Sequence, residues 1–153
     1  MRLALVLALA GVAAAAQNLP PPRKAALAAW LRAGAYRQDY LPEPAVHPSA
    51  GPHGANVRSW YSPTLVEDLR AGRTVFRKGA AMVKELYLGG QDQVLGYAVM
   101  RKLRRRSGKT GRGWLFYEAF DATGDGATFG RGSGLCTGCH RQGVDYLRSE
   151  FRP

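Results

Sequence analysis

Three segments determine the fold class of this chain: "AAMVKELYL" (80–88), "VLGYAVMRKL" (94–103) and "GWLFYEAF" (113–120). They combine aromatic and β-branched residues with other apolar side chains, and turn-rich connections separate them. This is the pattern of consecutive strands in an antiparallel sheet. A shorter strand is predicted just upstream, in "VRSWY" (57–61).

Short helices are predicted around these strands. In "SPTLVEDLRAG" (62–72), Ser62 can cap a helix, Pro63 suits its first position and Gly72 can end it. An alanine-rich helix is predicted near the N-terminus in "NLPPPRKAALAAWLRAGAYR" (18–37), after its three prolines. We therefore predict an α+β fold, with an antiparallel β-sheet core and a few short helices.

The N-terminus has the pattern of a leader sequence. "MRLALVLALAGVAAAA" (1–16) begins with a positive charge, continues with an apolar run and ends in small residues, as bacterial Sec-type signal peptides do. The run is too short for a transmembrane helix, so we expect a periplasmic or secreted protein without stable membrane insertion. Residues 17–46 are interpreted as an N-terminal helix and a Pro-rich linker, and 47–153 as one domain.

The chain is strongly basic, with 22 Lys and Arg against 11 Asp and Glu. Such a surface suits nucleic acid, an anionic membrane or an acidic protein. Export and the lack of a nucleic-acid motif argue against nucleic acid. The densest run, "RKLRRRSGKTGRG" (101–113), is interpreted as a solvated loop between two strands. The alternative is that it docks a soluble acidic electron-transfer protein.

The C-terminal motif carries the chemistry. "GLCTGCHRQG" (134–143) contains both cysteines of the chain, Cys136 and Cys139, followed directly by His140. Cys-x-x-Cys-His is the attachment motif of c-type haem: the two thiols add to the haem vinyl groups, and the histidine binds the iron. The motif therefore predicts one covalently attached haem c, with His140 as the axial iron ligand.

Three alternatives to haem remain for this motif. A disulfide between the two cysteines suits an oxidising compartment but leaves the adjacent histidine unexplained. A structural zinc site would need more ligands, which only His47 and His53 could supply among the histidines. A thioredoxin-like pair would require an early βαβ unit, which the pattern lacks.

The order of the motifs resembles the cytochrome P-460 family of periplasmic mono-haem c-type proteins. The resemblance is carried by "VRSWYSPTLVEDLRAGRTVFRKGAAMVKELY" (57–87), "GYAVM" (96–100), "GWLFYEAF" (113–120) and "CTGCHRQGVDY" (136–146). It covers about two thirds of the chain, from His47 onward. The resemblance implies a β-rich fold that is often homodimeric, with haem bound through the C-terminal motif.

The resemblance also implies an activity. Family members oxidise hydroxylamine and carry a covalent bond between a lysine and a meso carbon of the haem, which corresponds to Lys84 here. The related cytochromes c-prime-beta bind nitric oxide and lack that bond. We therefore expect a small nitrogenous ligand, hydroxylamine or nitric oxide, to bind a five-coordinate haem, with hydroxylamine oxidation as the possible enzymatic activity.

Strand alternation places Lys84 on one face with Met82 and Leu86, and Val83 and Glu85 on the other. An unpaired ammonium group is costly to bury. Burial would lower the pKa of the lysine and leave a nucleophilic amine. The alternative is that the side chain extends past its apolar neighbours to water.

The side chains on the open face of the haem are predicted from the aromatic strand residues. Tyr97 and Phe116 are expected nearest to it, with Phe76 as a third option. The distal acid of the hydroxylamine oxidisers falls close to Tyr97, so this chain lacks an acid at that place. Proton transfer would then depend on Glu85 or Glu118.

A sixth iron ligand would change the function. His47, His53 or Met100 could supply one, which would make the protein a six-coordinate electron-transfer cytochrome. For the two histidines, in a loop rich in proline and glycine, we expect local hydrogen bonding instead. A non-catalytic nitric oxide binding protein is the remaining alternative.

Overall fold

The core of the molecule is one antiparallel sheet, described by a computed structural model for residues 18–87, 93–151 and 153. In the described residues it has seven strands. The spatial order is β1-β3-β4-β5-β6-β7, and β2 also pairs with β3. The strands are β1 (Leu41–Pro42), β2 (His47–Pro48), β3 (Asn56–Tyr61), β4 (Ala81–Tyr87), β5 (Val94–Lys102), β6 (Trp114–Ala119) and β7 (Thr128–Arg131). The predicted antiparallel α+β architecture is confirmed.

The three segments that predicted the sheet form its centre, as β4, β5 and β6. Their bounds agree with the prediction to within one residue at each end. All six residues of β6 are buried, because elements pack on both faces of the sheet. Because both faces of these strands carry apolar residues, the composition of the segments predicts buried strands.

Three short helices accompany the sheet: α1 (Lys24–Arg32), α2 (Pro63–Arg70) and α3 (Gly134–His140). At the start of α2, the Ser62 hydroxyl accepts the backbone N–H of Leu65 at 3.3 Å, as the predicted cap requires. It also accepts the N–H of Ala81 at 2.9 Å, which ties the helix to β4. Gly72, just beyond the helix, has φ +61°, a conformation that favours glycine.

One face of the sheet is covered by the N-terminal segment. Leu27 and Leu31 of α1 are fully buried against Val83 and Val99. Tyr36, in the short 3-10 helix that follows α1, belongs to the same cluster. Residues of the predicted N-terminal segment therefore share a core with the sheet.

The opposite face is covered by α2, α3 and the C-terminal segment. We call it the cleft face and define it by Met82, Lys84, Met100, Phe116 and Glu118, which lie side by side on β4, β5 and β6. Its core continues with other buried apolar residues, Tyr61, Leu65, Val66, Phe76, Trp114 and Leu147.

Local composition did not predict three of the strands. β7 lies in a glycine-rich segment, β1 lies in the predicted Pro-rich linker, and β2 lies in the loop rich in proline and glycine that follows it. Each is short and lies at an edge, pairing with β6 or β3. Pairing with a longer neighbour, not intrinsic propensity, places these residues in the sheet.

The predicted signal peptide (1–16) lies outside the described residues. No helix in the described part of the chain combines the length and apolar character needed to cross a membrane.

Most of the basic run is a loop between β5 and β6, as predicted, and Arg104, Arg105 and Arg106 are exposed on it, whereas Arg101 and Lys102 belong to β5. Lys102 is an exception within the same run, because its side chain is completely buried.

Candidate functional site

Helix α3 holds both cysteines. Cys136 and Cys139 are three residues apart, so their side chains lie one above the other on the same side of the helix. Both thiols are free; Cys136 is partly buried against the core and Cys139 is exposed. Burial raises the pKa of the Cys136 thiol. Cys136 is thus the less exposed of the two cysteines.

His140 ends the same helix and is buried, with 8% of its surface exposed. Its Nδ1 lies 2.9 Å from the carbonyl oxygen of Tyr146. A carbonyl only accepts, so Nδ1 carries the proton and donates, and burial lowers the pKa of the ring. The neutral ring therefore keeps a lone pair on Nε2, the atom a metal would take.

A small cleft, about 20 Å³ in volume, lies between α3 and the cleft face of the sheet. The rings of Phe116 and His140 are 5.6 Å apart at one wall. The lining combines apolar and ionisable side chains, among them Met82, Ala98, Met100, Phe116, Lys84, Glu118, His53, Cys136 and His140.

Lys84 faces this cleft, as strand alternation predicted. It is half-buried, and it makes no hydrogen bond or ion pair with any residue the structure describes. Burial lowers the pKa of its amine, and attraction to Glu43 and Glu118 offsets only part of this effect. In the sheet register Lys84 pairs with Ala98, and Ala98 pairs with Glu118. The small alanine leaves the space between the amine and the carboxylate open.

Glu118 is paired with a histidine from a distant loop. The Nδ1 atom of His53 lies 2.6 Å from Oε1 of Glu118, and the His53 ring is 6.1 Å from the His140 ring. Local hydrogen bonding was therefore the wrong expectation for His53. It is confirmed for His47, which contacts Glu43 and the Pro48 carbonyl at 3.0 and 2.9 Å.

Tyr97 and Glu85 are not part of the cleft. The alternation of β5 turns Ala98 and Met100 toward the cleft and Tyr97 to the opposite face, where its ring lies 6.3 Å from Tyr36. Glu85 is on that face too, accepting hydrogen bonds from Tyr36 and Arg37 at 2.5 Å each. The expected places of Tyr97 beside the open face and of Glu85 as a proton acceptor are thus corrected.

Phe76 does not line the cleft either. It is buried in the core, with its ring 6.2 Å from that of Trp114. Met100, in contrast, lines the cleft. His47 lies on the short edge strand β2 and is exposed.

No protein-family model matches the chain, and no curated protein is significantly similar to it. The likeness to the cytochrome P-460 family therefore depends on the quoted motifs.

The residues of the cleft suit a haem c by their chemistry. They include a free thiol one turn from a second free thiol, a buried imidazole with Nε2 available, and an apolar wall. Within residues 18–87, 93–151 and 153, no three His, Cys, Asp or Glu side chains are grouped to hold a metal ion by themselves. A haem would bring its own four nitrogen ligands, so one protein ligand suffices.

Proposed function

We propose that this protein is a periplasmic mono-haem c-type cytochrome, similar to the P-460 family, that binds and oxidises a small nitrogenous ligand, hydroxylamine or nitric oxide. The observation that carries the proposal is the convergence of the α3 motif with Lys84 and Glu118 in one cleft. A plain attachment site would need only the motif. Ionisable side chains opposite His140 add groups that can act on a ligand.

The attachment is assigned to α3. Cys136 and Cys139 would form the two thioether bonds, and His140 would bind the iron through Nε2. The hydrogen bond from Nδ1 to the Tyr146 carbonyl holds the ring in one tautomer and one orientation. When bound, the haem supplies an iron centre that accepts electrons from the ligand.

Lys84 is proposed as the residue that bonds covalently to the haem edge. Such a bond would replace a C–H bond of the porphyrin, and it would need a porphyrin oxidised by two electrons and the loss of two protons. The amine would have to be neutral, because an ammonium group has no lone pair. The lowered pKa of Lys84 and its lack of a described partner both increase the neutral fraction. Its cleft-facing position brings that amine to the proposed haem site.

Glu118 and His53 are proposed to accept the protons that ligand oxidation releases. With Nδ1–H donated to Glu118, the Nε2 atom of His53 is free to accept a proton, and the carboxylate stabilises the resulting cation. This pair takes the role that the resemblance assigns to an acid near Tyr97. Glu118 and Lys84 are thus placed to act on the same ligand.

A second candidate function is a six-coordinate electron-transfer cytochrome. The 6.1 Å separation of the His53 and His140 rings favours it, because His53 is then the side chain positioned to take the sixth iron position. A third, nitric oxide binding without turnover, needs the same cleft but no proton acceptor.

The electron acceptor is proposed to be a soluble acidic protein. The basic loop between β5 and β6 lies next to the haem-attachment region, because the Tyr146 hydroxyl donates to the carbonyls of Gly108 and Lys109 at 3.0 and 2.9 Å. Exposed cations such as Arg104 and Arg112 on that loop could attract such a partner. A homodimer, as in the family, is part of the proposal.

The test uses protein matured in a host that attaches c-type haem. We expect a high-spin ferrous spectrum with a red-shifted Soret band, and turnover of hydroxylamine with an artificial electron acceptor. A low-spin ferrous spectrum with sharp split bands would reject the enzymatic function and support the electron-transfer function. A high-spin spectrum without turnover would leave ligand binding alone.

A further inference from the structure

Lys102 is a fully buried cation on the cleft face, one alternation step beyond Met100. Its Nζ contacts a carboxylate oxygen of Asp145 and the hydroxyl of Ser107, and it lies 4.7 Å from the centre of the Trp114 ring. Burial lowers the pKa of this amine, and the attraction of Asp145 opposes that effect. A buried ion pair is a poor source of net stability, so its specific geometry calls for another explanation.

The carboxylate partner belongs to a strained segment. Asp145 and Tyr146 are consecutive non-glycine residues in the left-handed region, with φ values of 45° and 71°. Such a conformation persists only when its surroundings enforce it. Asp145 is held by Lys102, by Ser107 and by the backbone N–H of Phe76 at 2.9 Å.

The strained segment contacts His140. The carbonyl of Tyr146 is the group that accepts the Nδ1–H of His140 at 2.9 Å. The Tyr146 side chain is fixed as well, since its hydroxyl donates to the carbonyls of Gly108 and Lys109. A chain of direct contacts therefore runs from Lys102 through Asp145 and Tyr146 to the imidazole.

We propose that Lys102 and Asp145 are positioning residues for the proximal ligand: their buried ion pair holds the Tyr146 carbonyl on His140 Nδ1. A hydrogen bond at Nδ1 makes the imidazole a stronger donor at Nε2 and fixes its plane. A stronger axial donor stabilises the oxidised iron and lowers the reduction potential. This inference rests on the proposed function, because it names the residues that orient the proposed haem ligand His140.

The test compares K102M and D145N holoprotein with the wild type. We expect both variants to shift the iron–histidine stretching band in the ferrous resonance Raman spectrum to lower frequency, and to raise the reduction potential. S107A, which removes one hydroxyl from the cluster, should cause a smaller shift in the same direction. It provides a milder variant if the first two fold poorly.

D68N is the matched control. Asp68 is completely buried and paired with Arg77 and Arg73, at 2.6 and 3.1 Å, and among the described residues it makes no hydrogen bond or ion pair with the segment that carries Tyr146. It should lower the melting temperature and leave the stretching band and the potential unchanged. If K102M and D145N behave like D68N, the pair is only structural and the inference is overturned.

Failure of the proposed function would be recognised separately, as wild-type protein that carries no haem. The same variants are then compared by ¹⁵N NMR of the imidazole. Loss of the protonated Nδ1 signal of His140 in K102M and D145N, with retention in D68N, would support the positioning role. Retention in all three would overturn it.

Discussion

The Nδ1 atom of His53 lies 2.6 Å from Oε1 of Glu118, although 65 residues separate them in the chain. The contact brings a glycine-rich loop onto the cleft face of the sheet, opposite the ring of His140. The carboxylate of Glu118, beside Lys84, is therefore hydrogen-bonded to an imidazole that can either accept a proton or bind the iron. Either role can be distinguished by experiment.

If His53 and Glu118 accept protons, H53Q and E118Q should each slow hydroxylamine turnover by about 10²-fold or more, the usual contribution of a positioned base. The double variant should lose little more, because the two side chains act as one unit. Turnover is measured with an artificial acceptor, and the ferrous spectrum should stay high-spin throughout.

H47Q is the control for this experiment. His47 is exposed and contacts Glu43 outside the cleft, so its replacement should leave turnover unchanged. A wild-type spectrum that is low-spin and becomes high-spin in H53Q would contradict the proton-accepting role, since it would make His53 an iron ligand.

The proposed Lys84 bond can be read from a tryptic digest. Trypsin cleaves after a free lysine, so an unmodified Lys84 releases residues 79–84 as a separate peptide. A lysine joined to haem is not cleaved, and we expect residues 79–101 to stay together and to carry the haem. K84R, which keeps a cationic side chain but not the amine, should lose this species and the red-shifted Soret band.

Quantitative recovery of unmodified residues 79–84 from matured protein would reject the covalent bond. Ligand binding at the cleft would then be the part of the proposal that remains. The outcome thus separates the P-460-like activity from the behaviour expected of the cytochromes c-prime-beta.

Glu85 should stabilise the fold without affecting the cleft. Burial by itself would raise the pKa of this carboxyl, but hydrogen bonds from Tyr36, Arg37 and Tyr87 outweigh burial and lower it from 4.5. As the pH falls, Glu85 therefore binds a proton at a higher pH in the unfolded chain than in the folded protein. The contribution of Glu85 is complete above about pH 4.5. It is lost as the pH falls through the lower pKa of the folded protein.

Urea unfolding at neutral pH measures this contribution. E85Q should lower the free energy of unfolding by about 2 kcal/mol, because charged hydrogen bonds to a buried acceptor are lost. E67Q, at an exposed pair with Arg77, should cost less than about 1 kcal/mol. An altered haem spectrum in E85Q would contradict the placement of Glu85 on the opposite face.

Several features could be read from local sequence because they depend on neighbours in the chain. The cap at Ser62 defines α2, and alternation in β4 put Lys84 and Glu85 on opposite faces. These patterns concern one element at a time, and the structure agrees with each of them.

Other features depend on how elements pair, and they were missed. Tyr97 was placed at the cleft, but the opposite side of β5 faces it. The pairing of Lys84 with Ala98 fixes which side of β5 faces the cleft. The His53 contact joins two distant segments, and no local signal marks it. Lys102 lies in a run of exposed cations, and its burial is explained by its contacts with Ser107, Trp114 and Asp145.

The central claim is that α3 binds haem through both cysteines. The most direct measurement is the mass of the tryptic peptide 132–141, "GSGLCTGCHR", from protein matured in a host with c-type haem attachment. We predict that this peptide carries one haem, joined at Cys136 and Cys139, and that neither thiol reacts with an alkylating reagent. Recovery of the peptide without haem, with both cysteines alkylated or joined in a disulfide, would contradict the claim.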